Sequence, residues 1–235
     1  MIKNHIQEIR SRQPKVGGKK LYRHLNEDGI PVGRDHLFDL LRYWGLLIHK
    51  KKRYHKTTNS KHHFRKYSNL IKERSPQKPH EVYVSDITYI KTLEGFWYLY
   101  LITDMYSRKI VGYAFKNNLT ADGALEALQM ALKQWFNKTQ LIHHSDRGLQ
   151  YCCYDYVNML TDAGVQISMT EDNHVYENAL AERVNGILKD EFLLDHTIES
   201  SALAKRLVFE SIEIYNNERL HMSLGYLTPN HVHSN

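Results

Sequence analysis

Cysteine is nearly absent. The two that occur among 235 residues, Cys152 and Cys153, are adjacent. Neighbouring cysteines seldom pair, and two cannot build a disulfide framework. No CxxC occurs either, which removes the usual cysteine spacing of a zinc site. Long apolar runs are also missing. The best candidate, "FWYLYLI" at 96–102, falls far short of the ~18 residues that cross a bilayer and suits a buried strand. The opening "MIKNHIQEIRSRQ" is too polar for a signal peptide. A reducing cytoplasm is the simplest setting for such a chain. Its 42% hydrophobic and 11% aromatic residues make it globular, with length for one large domain or two small ones.

What is present is an uneven charge. Residues 1–80 hold 20 Lys and Arg against 6 Asp and Glu, a net +14, whereas residues 81–235 hold 12 against 20, a net −8. A front segment at +14 repels itself unless the charge meets something anionic. Nucleic acid is the usual partner, and the attraction should weaken steeply with salt. The bland alternative is a solvated basic tail.

Patterning divides the chain. Three helical patterns fill the front: 1–12, 18–28 with Leu21 and Leu25 on one face, and 34–45 with Leu37, Phe38, Leu40, Leu41 and Trp44. The link "GIPVG" is a short turn. Helix, turn and helix in a basic setting suggest a helix-turn-helix over residues 1–50, with 34–44 as the groove-reading helix and Arg34 and Arg42 on DNA. A small helical bundle is the competing reading. Residues 51–79 are basic and aperiodic, a linker suited to lie along phosphates, with a boundary near Pro79. From 80 to 235 the text changes. Strands are predicted at 81–91, 96–107, 109–116, 140–145 and 165–170, and helices at 120–135, about 150–163, 178–194 and about 200–217. The first three strands read as an antiparallel meander. The order β-β-β-α-β-α-β-α-α calls for a mixed sheet with helices on both faces. Leu125, Leu128, Leu132 and Trp135 step by three and four and are ordinary core.

Within this region two aspartates stand out. Asp86 lies mid-strand on the side shared with Val82, Val84 and Ile90, where a charge costs several kcal/mol unless it is paired or metal-bound. In "LIHHSDRGLQY", Asp146 follows an apolar strand end, and Gly148 permits a sharp turn into the next helix. It reads either as a turn residue or as a ligand at the mouth of a sheet, where α/β folds gather ligands. A third acid, Glu182, sits on a helix with Asn178, Asn185 and Lys189 along one stripe. Leu180, Val184 and Leu188 form the opposite stripe.

Asp86, Asp146 and Glu182, with 35 residues between the last two, resemble the DDE triad of retroviral-integrase-like transposases. The surroundings sharpen the likeness. "SDITYI", "LITDMYSRKIVGYAF", "HHSDRGLQY", "GVQISMT" and "ENALAERVNGILKDE" follow one another as in insertion-sequence transposases of the OrfB type. "YNNERLHMSLGYLTPNHV" is similar to that family's usual close. The resemblance covers roughly residues 14–232.

It implies a ribonuclease-H-like five-stranded core preceded by a helical domain, and it implies DNA cleavage at element ends followed by strand transfer. Water nicks the end, and the freed 3′-OH then attacks another phosphodiester. It also implies magnesium or manganese, two ions ~4 Å apart held by the three acids. Asn185 and Lys189 are expected to face the terminal base pairs and phosphates. Arg147 and His144 either contact DNA or brace the turn. Double-stranded DNA is the implied partner, together with further copies of the chain, since pairing two element ends needs two active sites. An upstream helix-turn-helix partner protein belongs to the same picture. No membrane is involved, and the protein would work on the bacterial nucleoid.

Three positions depart from the family text or compete with it. Tyr83 stands where tryptophan is usual. Glu177-Asn178 replaces Asp-Asn, and Glu177 competes with Glu182 as a ligand at the wrong spacing. Asp104, in "TDMYSRK", reads as a hydrogen-bonding partner of Ser107 or Arg108 rather than a ligand. His62 and His63 lie too far from Cys152 and Cys153 for a zinc module. Competing functions are a structure-selective nuclease of the same fold and a catalytically dead DNA-binding regulator.

Overall fold

A computed structural model describes residues 1–48, 63–72, 74–136, 140–171 and 178–235. The front holds α1 (Ile2–Arg12), α2 (Gly18–Glu27) and α3 (Arg34–Tyr43). Their apolar residues recur at helical spacing because they share one core: Ile6, Leu21, Leu25, Leu37 and Leu41 are wholly buried together with Val16. Gly29 and Gly45 take φ of 74° and 66° beyond α2 and α3, the left-handed turn that stops a helix.

The expected mixed sheet follows. Its strands are β1 (Val82–Thr92), β2 (Gly95–Asp104), β3 (Ile110–Lys116), β4 (Ile142–Ser145) and β5 (Gln166–Met169), in spatial order β3-β2-β1-β4-β5. β1, β2 and β3 form the antiparallel meander, and β4 and β5 add in parallel beyond β1. Tyr83, Tyr100, Ile102 and Val111 pack one face against α4 (Ala121–Gln134), α5 (Leu149–Cys152) and α6 (Tyr154–Asp162). Ile90, Leu99, Leu101 and Ile110 pack the other against α7 (Ala179–Glu191) and α8 (Ser201–Asn217). α4 lies so near β3 that a Cβ on Gly112 would fall 2.1 Å from the carbonyl oxygen of Ala127.

Two features differ from the sequence reading. The helix expected at 150–163 is broken at Cys153, whose backbone is extended (φ −67°, ψ 153°). Tyr151 and Tyr156 both enter the same core. Five residues apart on one unbroken helix they would diverge by ~140°, so the break lets both point inward. The chain also ends in a short helix, α9 (Pro229–Ser234), where Thr228 caps the backbone N–H of His231 at 3.3 Å and Pro229 opens the first turn.

The expected linker lies partly outside the described residues. Its far part packs on the core: Ile71 is buried beside Val82 and Val84, and the Leu70 N–H donates to Ser168 Oγ at 2.9 Å. His62 and Glu177 also lie outside the described residues. Among those described, no helix is long and apolar enough to cross a membrane.

Candidate active site

Strand alternation puts Asp86 on the side of β1 that faces α7. β1 and β4 pair only from Val82 to Val84, opposite Ile142 to His144. Beyond that point the edge of β1 is free of β4, and Asp86 stands there, partly exposed. Asp146 lies one residue past the end of β4. Its Oδ1 accepts the N–H of Gly148 at 2.9 Å, so the carboxylate closes its own turn. Gly148 has an ordinary φ of −66°. Sharp bending is therefore not its contribution. A Cβ there would sit 2.9 Å from Asp146 Oδ1, and glycine leaves room for the carboxylate.

α7 delivers the third acid. Glu182 is exposed in its first turn. On either side of it an asparagine ties the helix to β1. Asn178 donates from Nδ2 to the carbonyl of Ser85 at 2.9 Å, and Asn185 donates from Nδ2 to Asp86 Oδ2 at 2.8 Å. Both asparagines are buried. Oδ1 of Asn185 has no hydrogen-bond donor among the described residues.

The acids act on one another. Burial, then the Asp146 carboxylate and more weakly Glu182, push the Asp86 carboxyl up to about 7, although the Asn185 amide and the Ile87 N–H pull the other way. Glu182 is likewise raised, by the partial desolvation of its carboxyl where α7 meets the sheet and then by Asp146. As they stand, no three Asp, Glu, His or Cys side chains among the described residues are gathered tightly enough to hold a metal ion.

The remaining expectations fall in several places. Asn185, expected on DNA, is turned inward onto Asp86. Lys189 lies with Nζ 4.0 Å from the centre of the Tyr89 ring. Arg147 is half-buried beside Asp146. His144 is wholly buried, with Nδ1 2.8 Å from Ser168 Oγ, and braces β4 to β5. Asp104 is buried and accepts from the Ser107 N–H, the Ser107 hydroxyl and the His80 N–H at 2.8, 2.9 and 2.7 Å. That is the structural partnership with Ser107 read from the sequence. Arg34 and Arg42 are exposed on α3, and each meets a neighbouring aspartate, Asp35 and Asp39.

A cluster at the far end of α7 escaped the sequence reading. Glu191 receives Arg219 at 2.7 and 2.8 Å and Lys20 at 3.0 Å, and its carbonyl accepts the Lys15 N–H at 3.1 Å. Lys20 and Arg219 are buried. Burial works against ionising Glu191, but the two cations outweigh it and hold the carboxyl below its usual range. The three-helix front is thereby seated on the last turn of α7. Residues so distant in the chain leave no local signal.

Comparison with known proteins agrees with this architecture. Residues 76–174 match an integrase core domain family, and residues 163–229 match a second family of the same description. The chain is 38% identical over 226 residues to the IS600 31 kDa protein of Shigella sonnei, covering 95% of this chain and 83% of that protein. It is 32% identical over 222 residues to the transposase InsF for IS3A of Escherichia coli K12, covering 94% and 77%. The solved HTLV-2 integrase catalytic core, in complex with magnesium, superposes with a TM-score of 0.54 at 18% identity, covering 68% of this chain and 100% of that one. A mixed five-stranded sheet between two helical layers is thus the ribonuclease-H-like fold of an integrase core, and the chain belongs to the OrfB-type transposases of the IS3 family of insertion sequences.

Proposed function

We propose that Asp86, Asp146 and Glu182 form the centre at which this transposase cleaves the ends of its element and joins them to a second phosphodiester. One observation carries the reading. Asp86 on β1 stands just past the β1–β4 pairing, Asp146 lies one residue beyond β4, and α7, which bears Glu182, is tied to β1 through Asn178 and Asn185 on either side of that acid. Like charges so placed are relieved by protons or by a multivalent cation.

The donor set fits such a cation. Hard carboxylate oxygens suit magnesium or manganese, and the buried Oδ1 of Asn185 offers an acceptor beside them. Magnesium is named in the complex of the similar HTLV-2 core. Asp86, Asp146 and Glu182 would hold the metal, two ions in the full reading. Bound there, it supplies Lewis-acid stabilisation of the attacking and leaving oxygens of an in-line displacement.

The chain's own side chains supply position and charge. β1 and the turn after β4 fix the two aspartates, and α7 brings Glu182 to them. Lys189 and Arg147 place positive charge where DNA phosphates would lie. Arg34 and Arg42 on α3 face a DNA groove, and the basic stretch over 51–79 follows the backbone. The domains run 1–50, 51–79 and 80–235. Two or more copies pair the element ends, with an upstream helix-turn-helix protein as a further partner, in the bacterial cytoplasm at the nucleoid.

The test uses labelled DNA carrying the element's terminal repeats, with manganese. Asp86→Asn, Asp146→Asn and Glu182→Gln are each expected to abolish cleavage and joining while DNA binding persists. Near wild-type activity in any one of them refutes the assignment. Cleavage without joining by the unaltered protein identifies a nuclease instead.

A further inference from the structure

Ladder pairing between β1 and β4 stops at Val84 and His144, before either strand reaches its aspartate. Something else must keep Asp86 beside Asp146, and both beside α7. Ser85 makes the contacts that could do so. Its side chain points to the face opposite Asp86, where Oγ lies 2.6 Å from Nε2 of His143 on β4. The same ring nitrogen is 2.9 Å from the Tyr156 hydroxyl on α6. Ser85 and His143 are essentially without solvent contact. On its backbone side, the Ser85 carbonyl accepts from Asn178 Nδ2 at 2.9 Å. Asn178 precedes α7, and its own carbonyl accepts the N–H of Glu182 at 3.1 Å. A single residue therefore touches the strand that bears Asp86, the strand that leads to Asp146, and the helix that bears Glu182.

We propose that Ser85 is a positioning residue for metal capture: its hydroxyl on His143 and its carbonyl on Asn178 hold the backbones of β1, β4 and α7 so that turning the acid side chains alone completes one metal site. This inference rests on the triad reading. A Ser–His pair suggests nucleophilic chemistry, but Ser85 Oγ is sealed on the far face of β1 from the acids and cannot reach a substrate there. The Ser85 and Tyr156 hydroxyls both meet Nε2 of His143, while Nδ1 of that ring has no hydrogen-bond partner among the described residues, and directional bonds of this kind fix a register that an apolar contact would let slide.

The test titrates manganese chloride into the DNA-free protein by calorimetry, and follows cleavage against manganese concentration in parallel. Removal of such outer support for metal ligands typically costs ~10-fold or more in metal affinity. Ser85→Ala is expected to weaken manganese binding by about tenfold and to shift half-maximal cleavage to correspondingly higher manganese, with DNA affinity unchanged. Ser85→Thr, which keeps the hydroxyl, is expected to restore both. Should Ser85→Ala fail to fold, Asn178→Ala severs the other arm and is expected to weaken manganese binding in the same direction. A folded Ser85→Ala or Asn178→Ala protein that binds manganese like the wild type, while Asp86→Asn binds none, overturns the positioning role and leaves the triad standing. Manganese binding and cleavage retained by Asp86→Asn overturn the triad itself.

Discussion

Nδ2 of Asn185 lies 2.8 Å from Oδ2 of Asp86 and hands the carboxylate one of the few hydrogen bonds it receives. A residue of α7 is thereby committed to a neighbouring strand. The bond favours ionised Asp86 against burial and against Asp146. Asn185→Ala should move the Asp86 carboxyl above its already raised value of about 7. Carboxyl-carbon NMR titration of the metal-free protein reads this directly, and an unchanged or lower value would show that the amide gives Asp86 nothing.

The same shift sets a pH dependence. Asp86 is pushed up to about 7 in the folded chain, well above the ordinary range of an aspartate. Its contribution to stability is fully present below about pH 4 and is lost as pH rises through about 7. At pH 8, with chelator present, Asp86→Asn should therefore be more stable than wild type by upwards of ~1 kcal/mol, since each pKa unit is worth ~1.4 kcal/mol. The gap should close near pH 4. Urea denaturation across that range measures it. Manganese should stabilise the wild type alone, and more strongly at pH 8 than at pH 6, because binding must expel the Asp86 proton.

Gly148→Ala isolates crowding from backbone strain. The φ of −66° is open to alanine, so the fold should persist. The new methyl would meet Asp146 Oδ1 at 2.9 Å and push the carboxylate aside. Misplacing a reacting group by an ångström can cost ~100-fold in rate. Cleavage should fall by that order while the melting temperature hardly moves. A variant that cleaves normally would mean that the Asp146 side chain has space to spare.

Glu191 anchors two buried cations, and its removal leaves both unpaired. Glu191→Gln should destabilise the protein by ~3–5 kcal/mol, the cost of breaking a buried pair from one side. It should also speed tryptic release of the α1–α3 unit from the core. The exposed pair between Arg12 and Glu218 is the control: Arg12→Ala should cost under ~1 kcal/mol.

Much of this is legible in the sequence. Alternation along 81–91 placed Asp86 on the side of Val82, Val84 and Ile90, and the run of three strands followed by helix–strand alternation fixed the sheet type. Contacts made across faces were not legible. A stripe of Asn178, Glu182, Asn185 and Lys189 has one spacing whether it meets solvent, DNA or a strand edge, so the inward turn of Asn185 could not be read. Ser85 and His143 looked like polar residues in buried strands, and only their meeting across β1 and β4 gives them a role. The break at Cys153 answers to two tyrosines that share a core, a constraint that periodicity within one segment does not contain.

The seating of the front helices on Glu191 makes the length of α7 a fixed quantity. Glu182 and Glu191 are nine residues apart on an unbroken helix. That is two full turns and a half, ~13 Å along the axis, so the two acids project from opposite sides of one rod. Inserting a single residue between them would swing one end ~100° against the other, and either the acid or the anchor would miss its mark. The helix behaves as a keyed shaft: its surface letters can be exchanged, but its pitch count cannot.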